Sequence, residues 1–221
     1  MSLGHGASIV RNNLVLHLDA ANPKSYPGSG TTWYDLSGNG YHGLLINGTT
    51  YSAGSMVFDG VDDYVSYANS SSLCAAFNGN VDFSILTVFN FVSGVYILDI
   101  GSVGDDPTGA MEFGVSGISR NNTGGGGSNI ATTIIPSTWN FTAFTRSSSL
   151  LHSWYLNSVF INSAQTTEAY SVNDLVKTGR RAYSTSNIYK GSIASIMVYS
   201  KVLTAQEIRQ NFEATRGRYG I

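Results

Sequence analysis

The sequence predicts an all-β fold, a two-layered antiparallel sandwich with one short helix near the C-terminus. Apolar runs of strand length recur along the 221 residues, and Asn-Gly, Asp-Gly and other turn-forming pairs separate many of them. The apolar runs are rich in Val, Ile, Leu and Phe, which favour strands. Only residues 204–215 combine a helix start signal with helical spacing of apolar residues. A chain of this length fits one β sandwich, because such domains commonly run to roughly 200–250 residues.

The densest turn chemistry lies between residues 33 and 65. Residues 37–40, Ser-Gly-Asn-Gly, offer positions for positive φ and a side-chain amide that can bond its own backbone. Residues 57–65 predict a strand, a tight Asp-Gly turn and a second strand, with the aromatic residues on the buried side. A second hairpin turn is predicted at Asn47-Gly48, directly after a strand at 44–46.

Further strands are predicted in order along the chain. Two runs, 82–91 and 94–100, are the most strand-like and are rich in Val, Ile, Leu and Phe, which is typical of central strands that are covered on both faces. Residues 20–32, 69–80 and 163–186 are expected to form loops, the second with at most one helical turn. The other predicted strands are 14–19, 111–118, 131–135, 139–145, 150–156, 159–162 and 192–199, with a hairpin turn at Asn157-Ser158.

The C-terminal helix carries its own start signal. Thr204 and Glu207 have the spacing of a capping box, and Leu203 and Ile208 have that of a hydrophobic staple. Ile208 and Phe212 lie four residues apart and share the face that should contact a sheet. Residues 1–13 and 216–221 are expected to be short flexible arms, which leaves one domain at 14–215.

Composition excludes several classes of function. Charged residues make up 12% of the chain and the net charge is −2, against about 25% charged residues in ordinary soluble proteins. This balance predicts neither nucleic-acid nor membrane binding. Cys74 is the single cysteine, so no intrachain disulfide can form, and the N-terminus lacks a signal peptide pattern. Such a chain is expected to be made in a cytoplasm yet composed for exposure, as is a virion protein released by lysis.

Two motifs carry a resemblance to a known family. Residues 33–43, Trp-Tyr-Asp-Leu-Ser-Gly-Asn-Gly-Tyr-His-Gly, followed by 58–65, Phe-Asp-Gly-Val-Asp-Asp-Tyr-Val, resemble the laminin-G-like branch of the concanavalin A-like lectin/glucanase superfamily. The resemblance covers about residues 14–212 and implies a jelly-roll sandwich. Residues 14–26 and 211–221 are similar to laminin-G-like domains in structural proteins of tailed bacteriophages. This similarity implies a virion protein, first a capsid decoration protein and second a tail or baseplate adhesin.

No catalytic residue is predicted. Retaining glucanases that resemble this chain carry two glutamates and an aspartate at alternate positions of one strand, which places the carboxylates on one face. The four glutamates, Glu112, Glu168, Glu207 and Glu213, do not form that pattern. The sequence also lacks a Gly-x-Ser-x-Gly elbow and a helical pair of metal-binding histidines. A glycan-cleaving enzyme is therefore the least favoured alternative.

Calcium is the one cofactor that the sequence suggests. Members of the resembled family often hold Ca²⁺ at one end of the sandwich. Asp59, Asp62 and Asp63 cluster here, and so do Asp105 and Asp106. Carboxylates at short spacing suit Ca²⁺, but aspartates in Asx turns need no metal. Both interpretations stay open at this stage.

The resemblance also implies glycan binding and assembly on a particle. An exposed aromatic ring for stacking and amides for hydroxyl groups are expected, and a stand-alone carbohydrate-binding module is an alternative to the virion role. The candidate ligand-binding residues are Tyr96, Asn121, Asn122, Asn129, Trp154 and Tyr155. The candidate assembly residues are Arg216, Arg218, Tyr219 and Ile221. The expected partners are other virion proteins, further copies of this chain on the particle, and a glycan.

Overall fold

Two antiparallel β-sheets stack face to face in the computed structural model of the chain. The structure describes residues 7–94, 96–101, 111–114, 134–166, 170, 172, 175–181 and 188–221. None of the helices within these ranges has the length and apolar character needed to cross a membrane. The predicted all-β, two-sheet class with one short C-terminal helix is confirmed.

The strands and helices have the following bounds. The strands are β1 Leu14–Asp19, β2 Thr32–Trp33, β3 Gly43–Ile46, β4 Thr50–Ser52, β5 Ser55–Asp59, β6 Tyr64–Tyr67, β7 Phe83–Ser93, β8 Tyr96–Gly101, β9 Met111–Gly114, β10 Trp139–Arg146, β11 Leu151–Leu156, β12 Val159–Gln165, β13 Leu175–Thr178 and β14 Lys190–Tyr199. The helices are α1 Ser70–Cys74 and α2 Ala205–Thr215, and a 3₁₀ turn follows at Arg216–Arg218.

The strands divide into a large and a small sheet. The large sheet has the order β12-β11-β10-β7-β14-β5-β4, with β1 also paired to β14. The small sheet has the order β2-β3-β6-β13-β8-β9. Strand β14 is long enough to pair with β1 through its second half and with β5 through its first half.

The large sheet is covered on both faces. Between the sheets lies the main core, which includes Leu16, Trp33 and Phe89. On the outer face of the large sheet a second core joins Phe141 and other strand residues to Val10 and to the apolar side of α2. Burial on both faces explains why the sequences of β7 and β14 do not alternate regularly between apolar and polar residues, and why seven of the eight residues of β10 are buried.

The predicted helix cap is confirmed. The Glu207 amide donates to Thr204 Oγ1 at 3.2 Å, and the Thr204 amide donates to Glu207 Oε2 at 3.0 Å. Leu203 and Ile208 are both buried, as the hydrophobic staple requires. The Phe212 ring meets the Phe141 ring edge-on, with centroids 5.4 Å apart. These contacts fix α2 against the outer face of the large sheet.

Two of the predicted hairpin turns are corners between the sheets. The turn at Asn47-Gly48 connects β3 of the small sheet to β4 of the large sheet, and the Asp59-Gly60 turn connects β5 back to β6. Turn residues specify a local reversal, but not which sheet the next strand joins. The hairpin at Asn157-Ser158 is confirmed: it joins β11 to β12, with φ of 48° and 65° at its two residues.

Short strands account for most of the other differences. Strand β13 lies within the predicted loop 163–186, and β2 begins at the end of the predicted loop 20–32. Four residues or fewer give too little alternation to recognise a strand. Ile134 and Ile135, predicted to end a strand, lie outside any strand. Residues 115–118 and 131–133, also predicted as strand, lie outside the described residues.

The described parts of both chain ends pack on the body instead of forming free arms. The Val10 amide donates to Asn211 Oδ1 at 2.8 Å, and the Tyr199 hydroxyl donates to the Val10 carbonyl at 2.9 Å. At the other end, the Tyr219 ring lies 4.6 Å from the Trp139 ring. Residues 7–13 and 216–221 therefore belong to the layer that covers the large sheet. The sequence predicts flexible arms because both segments are mostly polar. Their few apolar residues are the ones that pack against the outer core.

Candidate functional site

Two predicted sugar-stacking residues are buried. Trp154 is fully buried, its ring stacked on Phe113 at 5.6 Å and against Phe144 at 4.4 Å. Tyr96 is 6% exposed, and the Arg181 guanidinium lies 4.8 Å from its ring centre. Neither ring can stack on a sugar from solvent, so both predictions are wrong. The sequence did not show which face of the sheet these rings occupy.

Of the remaining predicted ligand residues, only Tyr155 lies within the described residues and is partly accessible. Tyr155 is partly buried and meets the exposed Phe160 ring edge-on at 5.5 Å, near the β12 edge of the large sheet. Asn121, Asn122 and Asn129 lie outside the described residues. A ligand-binding role for Tyr155 therefore stays a prediction, and the asparagines predicted to act with it lie outside the described residues.

A groove of about 400 Å³ opens on the small sheet beside β3. Leu44 and Ser66 are paired across β3 and β6, and Leu44 is 46% exposed. Their neighbours Leu45 and Val65 point to the opposite face and are buried in the core. We call this depression the β3 groove; it is lined by Thr32, His42, Gly43, Leu44, Ser66, Tyr67 and Ala68. Leu44 and Ala68 supply apolar surface, and the hydroxyl groups supply donors and acceptors.

An imidazole and a phenol extend the polar side of the groove. The Asp35 amide donates to His42 Nδ1 at 3.1 Å, so the neutral ring carries its hydrogen on Nε2. Tyr34, which is 42% exposed, meets the His42 ring edge-on at 5.3 Å. The pair presents an exposed aromatic surface and a nitrogen donor side by side, a combination that suits a sugar ring and its hydroxyl groups.

Asp35 holds the loop that positions this pair. Its Oδ1 accepts hydrogen bonds from the amides of His17 and Ser37, both at 2.9 Å. Its Oδ2 accepts from the Tyr41 amide at 3.1 Å and from Ser37 Oγ at 2.7 Å. Both carboxylate oxygens are thus used to fold residues 35–41. The Asp-Leu-Ser-Gly motif therefore has a structural role: it fixes the positions of Tyr34 and His42.

The predicted aspartate cluster is present at the corner between β5 and β6. Carboxylate oxygens of Asp59, Asp62 and Asp63 lie within 4.8 Å of one another. Asp63 is 3% exposed; its Oδ2 accepts from the Asp59 amide at 2.9 Å, while its Oδ1 has no hydrogen-bond partner. Burial raises the pKa of Asp63, and the charges of Asp59 and Asp62 raise it further, against the lowering effect of that amide bond.

The cluster fits a Ca²⁺ ion. An unpartnered buried oxygen beside two more carboxylates is the hard donor set that Ca²⁺ prefers. Bound there, the ion would supply a structural cross-link between β5 and β6. Turn chemistry is visible as well, since Asp59 Oδ1 accepts from the Val61 amide at 2.7 Å. The second predicted cluster, Asp105 and Asp106, lies outside the described residues.

The predicted assembly residues all contact their own domain. Arg218 donates two hydrogen bonds of 2.8 Å to Asp19, and the Tyr219 hydroxyl donates to the Gly54 carbonyl at 3.2 Å. Arg216 pairs with Glu213 at 2.6 Å, and Ile221 packs at the edge of the outer core. These contacts fix the tail. Whether the tail also binds a neighbouring subunit stays a prediction.

Sequence reasoning missed the residues of the β3 groove. The sequence places Tyr34 and His42 in a turn-rich stretch and Leu44 in a predicted strand without a functional role, and Ser66 lies just beyond a predicted strand. The available signal was the run 33–44, where aromatic and imidazole side chains flank a loop tied by Asp35. In the structure Leu44 lies between the buried Gly43 and Leu45 and faces outward, which the sequence of this strand does not show.

Comparison with solved structures supports the fold. Domain 4 of AbnA, a GH43 extracellular arabinanase from Geobacillus stearothermophilus, in complex with arabinotriose, aligns with a TM-score of 0.69 at 16% identity, over 90% of this chain and 98% of that domain. Trypanosoma rangeli sialidase aligns with a TM-score of 0.67 at 14% identity, over 99% of this chain. This chain spans only 35% of that sialidase.

Comparison with sequences shows the family. No curated protein sequence matches the chain. The model of the laminin-G-like family of the concanavalin A-like lectin/glucanases superfamily matches residues 59–209, well over half of the 221 residues. This match includes the aspartate corner and most of the strands on both sheets. The chain therefore belongs to the concanavalin A-like lectin/glucanase superfamily.

Proposed function

We propose that this domain binds carbohydrate without cleaving it, and that the β3 groove is the binding site. The observation that carries this proposal is the set of groups around the groove. Leu44 provides an apolar floor, Ser66 and Thr32 provide hydroxyl groups, and His42 offers a ring donor beside the exposed Tyr34 ring. Sugar sites combine such groups, because a pyranose has apolar faces and a rim of hydroxyls.

A neighbour in structure supports the ligand class. The arabinanase domain of similar fold was seen with arabinotriose, and it is matched over 98% of its length. A likeness at 16% identity carries no residue role to this chain, since one fold hosts many functions. The groove residues of this chain, not the neighbour, define the proposed site.

The absence of cleavage is part of the proposal. The groove lining, as far as the structure describes it, includes no carboxylate. Asp35, the nearest in sequence, uses both oxygens to hold its own loop. On α2, Glu207 pairs with Lys201 and Glu213 pairs with Arg216, both at 2.6 Å. The described lining of the groove therefore lacks the pair of carboxylates, about 5–10 Å apart, that glycoside hydrolysis requires.

We further propose that the domain is displayed on the virion of a tailed bacteriophage, first as a capsid decoration protein and second as a tail or baseplate adhesin. The resemblance of residues 14–26 and 211–221 to phage laminin-G-like domains is the sequence support. The layout of the fold is compatible with this role. Residues 8–10 and α2 cover the outer face of the large sheet, whereas the β3 groove opens on the small sheet. One side of the sandwich can face a particle while the other faces a glycan.

Glycan binding is tested with a matched pair of exposed aromatic residues. Tyr34→Ala is expected to weaken binding to a hit from a glycan array at least tenfold. Phe160→Ala, which removes a 52% exposed ring next to Tyr155 on the other sheet, is expected to leave binding unchanged. The reverse result would move the site to Tyr155. An array with no hit for the intact domain would contradict carbohydrate binding.

The virion role is tested on purified particles. Mass spectrometry should find the chain in particles that encode it, and cryo-electron microscopy should place it on the capsid lattice or at the tail. A position on the tail would favour the adhesin over the decoration protein. Particles that lack the chain would contradict both.

A further inference from the structure

A second cleft, of about 470 Å³, lies on the outer side of the large sheet. It is enclosed by the segment before β1, by β1 itself, by the loop after β1 and by the end of α2. Its lining residues are Ala7, Ser8, Ile9, Arg11, His17, Asp19, Asn22, Lys24, Leu36, Ala214 and Arg218. It shares no lining residue with the β3 groove, so an inference about it does not rest on carbohydrate binding there.

The cleft concentrates positive charge in a chain whose net charge is −2. Three of the 12 Lys and Arg residues, Arg11, Lys24 and Arg218, line it. The carboxylate in its wall belongs to Asp19, and Arg218 already occupies both of that carboxylate's oxygens at 2.8 Å. Within the described ranges, neither Arg11 nor Lys24 forms an ion pair. Two positive charges in the cleft are therefore left without a counter-charge.

Neutral polar groups complete the lining. His17 is 7% exposed, and burial lowers its pKa, as do the charges of Arg218 and Arg11, while Asp19 and Asp35 raise it. Asn22 Oδ1 accepts from the Lys24 amide at 3.0 Å, which leaves the side-chain NH₂ of Asn22 as a donor. Ser8 adds a hydroxyl. The cleft thus offers donors of several kinds around an excess of positive charge.

We propose that this cleft binds a small ligand through an oxyanion, a phosphate, sulfate or carboxylate group held by Arg11 and Lys24. A guanidinium presents paired donors that match two oxygens of such a group, and an ammonium adds a compact charge. The cleft volume of about 470 Å³ exceeds one oxyanion and leaves room for a body of about monosaccharide size. The ligand class is therefore an acidic sugar or a metabolite of similar size.

The test compares charged and neutral probes of one shape at low ionic strength. Glucose 6-phosphate, glucuronate and glucose are titrated into the domain, and the ¹H–¹³C signals of the His17 ring report occupancy of the cleft. At least one of the two acidic probes should bind and shift these signals, with glucose at least tenfold weaker. Which acid binds more tightly identifies the oxyanion as phosphate or carboxylate.

Variants that remove positive charge inside or outside the cleft show whether the cleft carries the binding. The Arg11→Gln/Lys24→Gln double variant should weaken binding at least tenfold, and both positions are exposed, so the fold should be retained. Arg209→Gln removes one exposed positive charge from α2 outside the cleft and should change affinity less than twofold. Equal binding of glucose, full binding by the double variant, or an equal loss in Arg209→Gln would overturn the proposal.

Discussion

Arg218 and Asp19 stand 199 residues apart in the chain and are joined by two hydrogen bonds of 2.8 Å. The Asp19 side chain is 7% exposed and that of Arg218 is 36% exposed. Asp19 Oδ1 also accepts from the Ala21 amide at 3.2 Å. This relationship ties the C-terminal 3₁₀ turn to the end of β1, and it gives the tail a structural role.

Arg218→Ala should therefore destabilise the domain. Removing the guanidinium leaves the Asp19 carboxylate buried without its counter-charge, and a lost charged hydrogen bond of this kind costs about 2 kcal/mol. Urea unfolding of the purified domain measures the change. Arg209→Ala, which loses a surface pair with N···O of 4.0 Å, should cost less than about 0.5 kcal/mol. Similar losses in both variants would contradict a special role for the Arg218 contact.

Deletion of residues 216–221 should lower stability as well as any attachment to a particle. From sequence alone, the deletion is expected to leave the sandwich folded and to weaken attachment. The structure adds the loss of the Tyr219–Trp139 ring contact at 4.6 Å and of the Asp19 pairing. Particle binding of the truncated protein should therefore be measured at a temperature where circular dichroism shows it folded. Normal attachment under that condition would exclude the tail as the docking element.

The stability should fall as the pH is lowered, because of His152. Its side chain is 2% exposed and packs against Phe144 and Tyr170. Burial, aided by the charge of Arg146, lowers its pKa from 6.5 to about 4. Between these pH values the unfolded chain binds a proton that the folded chain does not, so up to about 3 kcal/mol of stability is lost.

The comparison with His152→Phe isolates this contribution. The wild type should lose more stability between pH 7.5 and pH 4.5 than the variant, by up to about 3 kcal/mol, as measured by urea unfolding at each pH. The difference between the two proteins matters, because Glu207 also contributes a pH dependence. The Lys201 hydrogen bond lowers the pKa of Glu207, so its contribution is lost in the same direction. Equal pH dependence in both proteins would contradict the assignment to His152.

The sequence predicts those parts of the fold that depend on local chemistry. The capping box at Thr204 and the Asn157-Ser158 hairpin are decided by neighbouring residues, and both are confirmed. The sequence also predicts turns at Asp59-Gly60 and Asn47-Gly48, but it predicts hairpins where the structure has corners between the two sheets. The choice between a hairpin and a corner depends on which sheet has a free edge, and this is a property of the whole fold.

The candidate site was less predictable for a related reason. Trp154 and Tyr96 were plausible sugar platforms by residue type, but alternation along a strand gives two faces without saying which is covered. Trp154 on β11 faces the main core between the sheets, and Tyr96 on β8 of the small sheet packs against the Arg181 guanidinium. The exposed apolar residue of the proposed groove is instead Leu44 on β3. Only the layer order of the domain distinguishes these positions.

Calcium should stabilise the domain through Asp63, and the Asp63→Asn variant should separate two effects. Without Ca²⁺, the variant should be as stable as the wild type or more stable, because it removes a buried negative charge near Asp59 and Asp62. With millimolar Ca²⁺, the wild type should gain several degrees in Tm, and the variant should gain little. Differential scanning fluorimetry with EGTA, Ca²⁺ or Mg²⁺ measures both. If the Tm of the wild type does not change with Ca²⁺, the calcium site is contradicted and these aspartates only stabilise the turn.

Gly94→Ala should be among the most damaging single-methyl changes in the domain. Gly94 follows β7 of the large sheet shortly before β8 of the small sheet, with φ of +85°. A Cβ there would overlap the Ile188 carbonyl oxygen and lie 2.8 Å from Tyr189 Cα, and these backbone atoms cannot move without disturbing the entry to β14. Gly28→Ala is the matched control, since its φ is +94° with nothing within 4 Å of the added Cβ. Both variants incur about 1 kcal/mol for a left-handed alanine, and the clash should raise the cost at Gly94 to about 4 kcal/mol. Urea unfolding that gave the two variants equal stability would show that the chain can shift at this crossing.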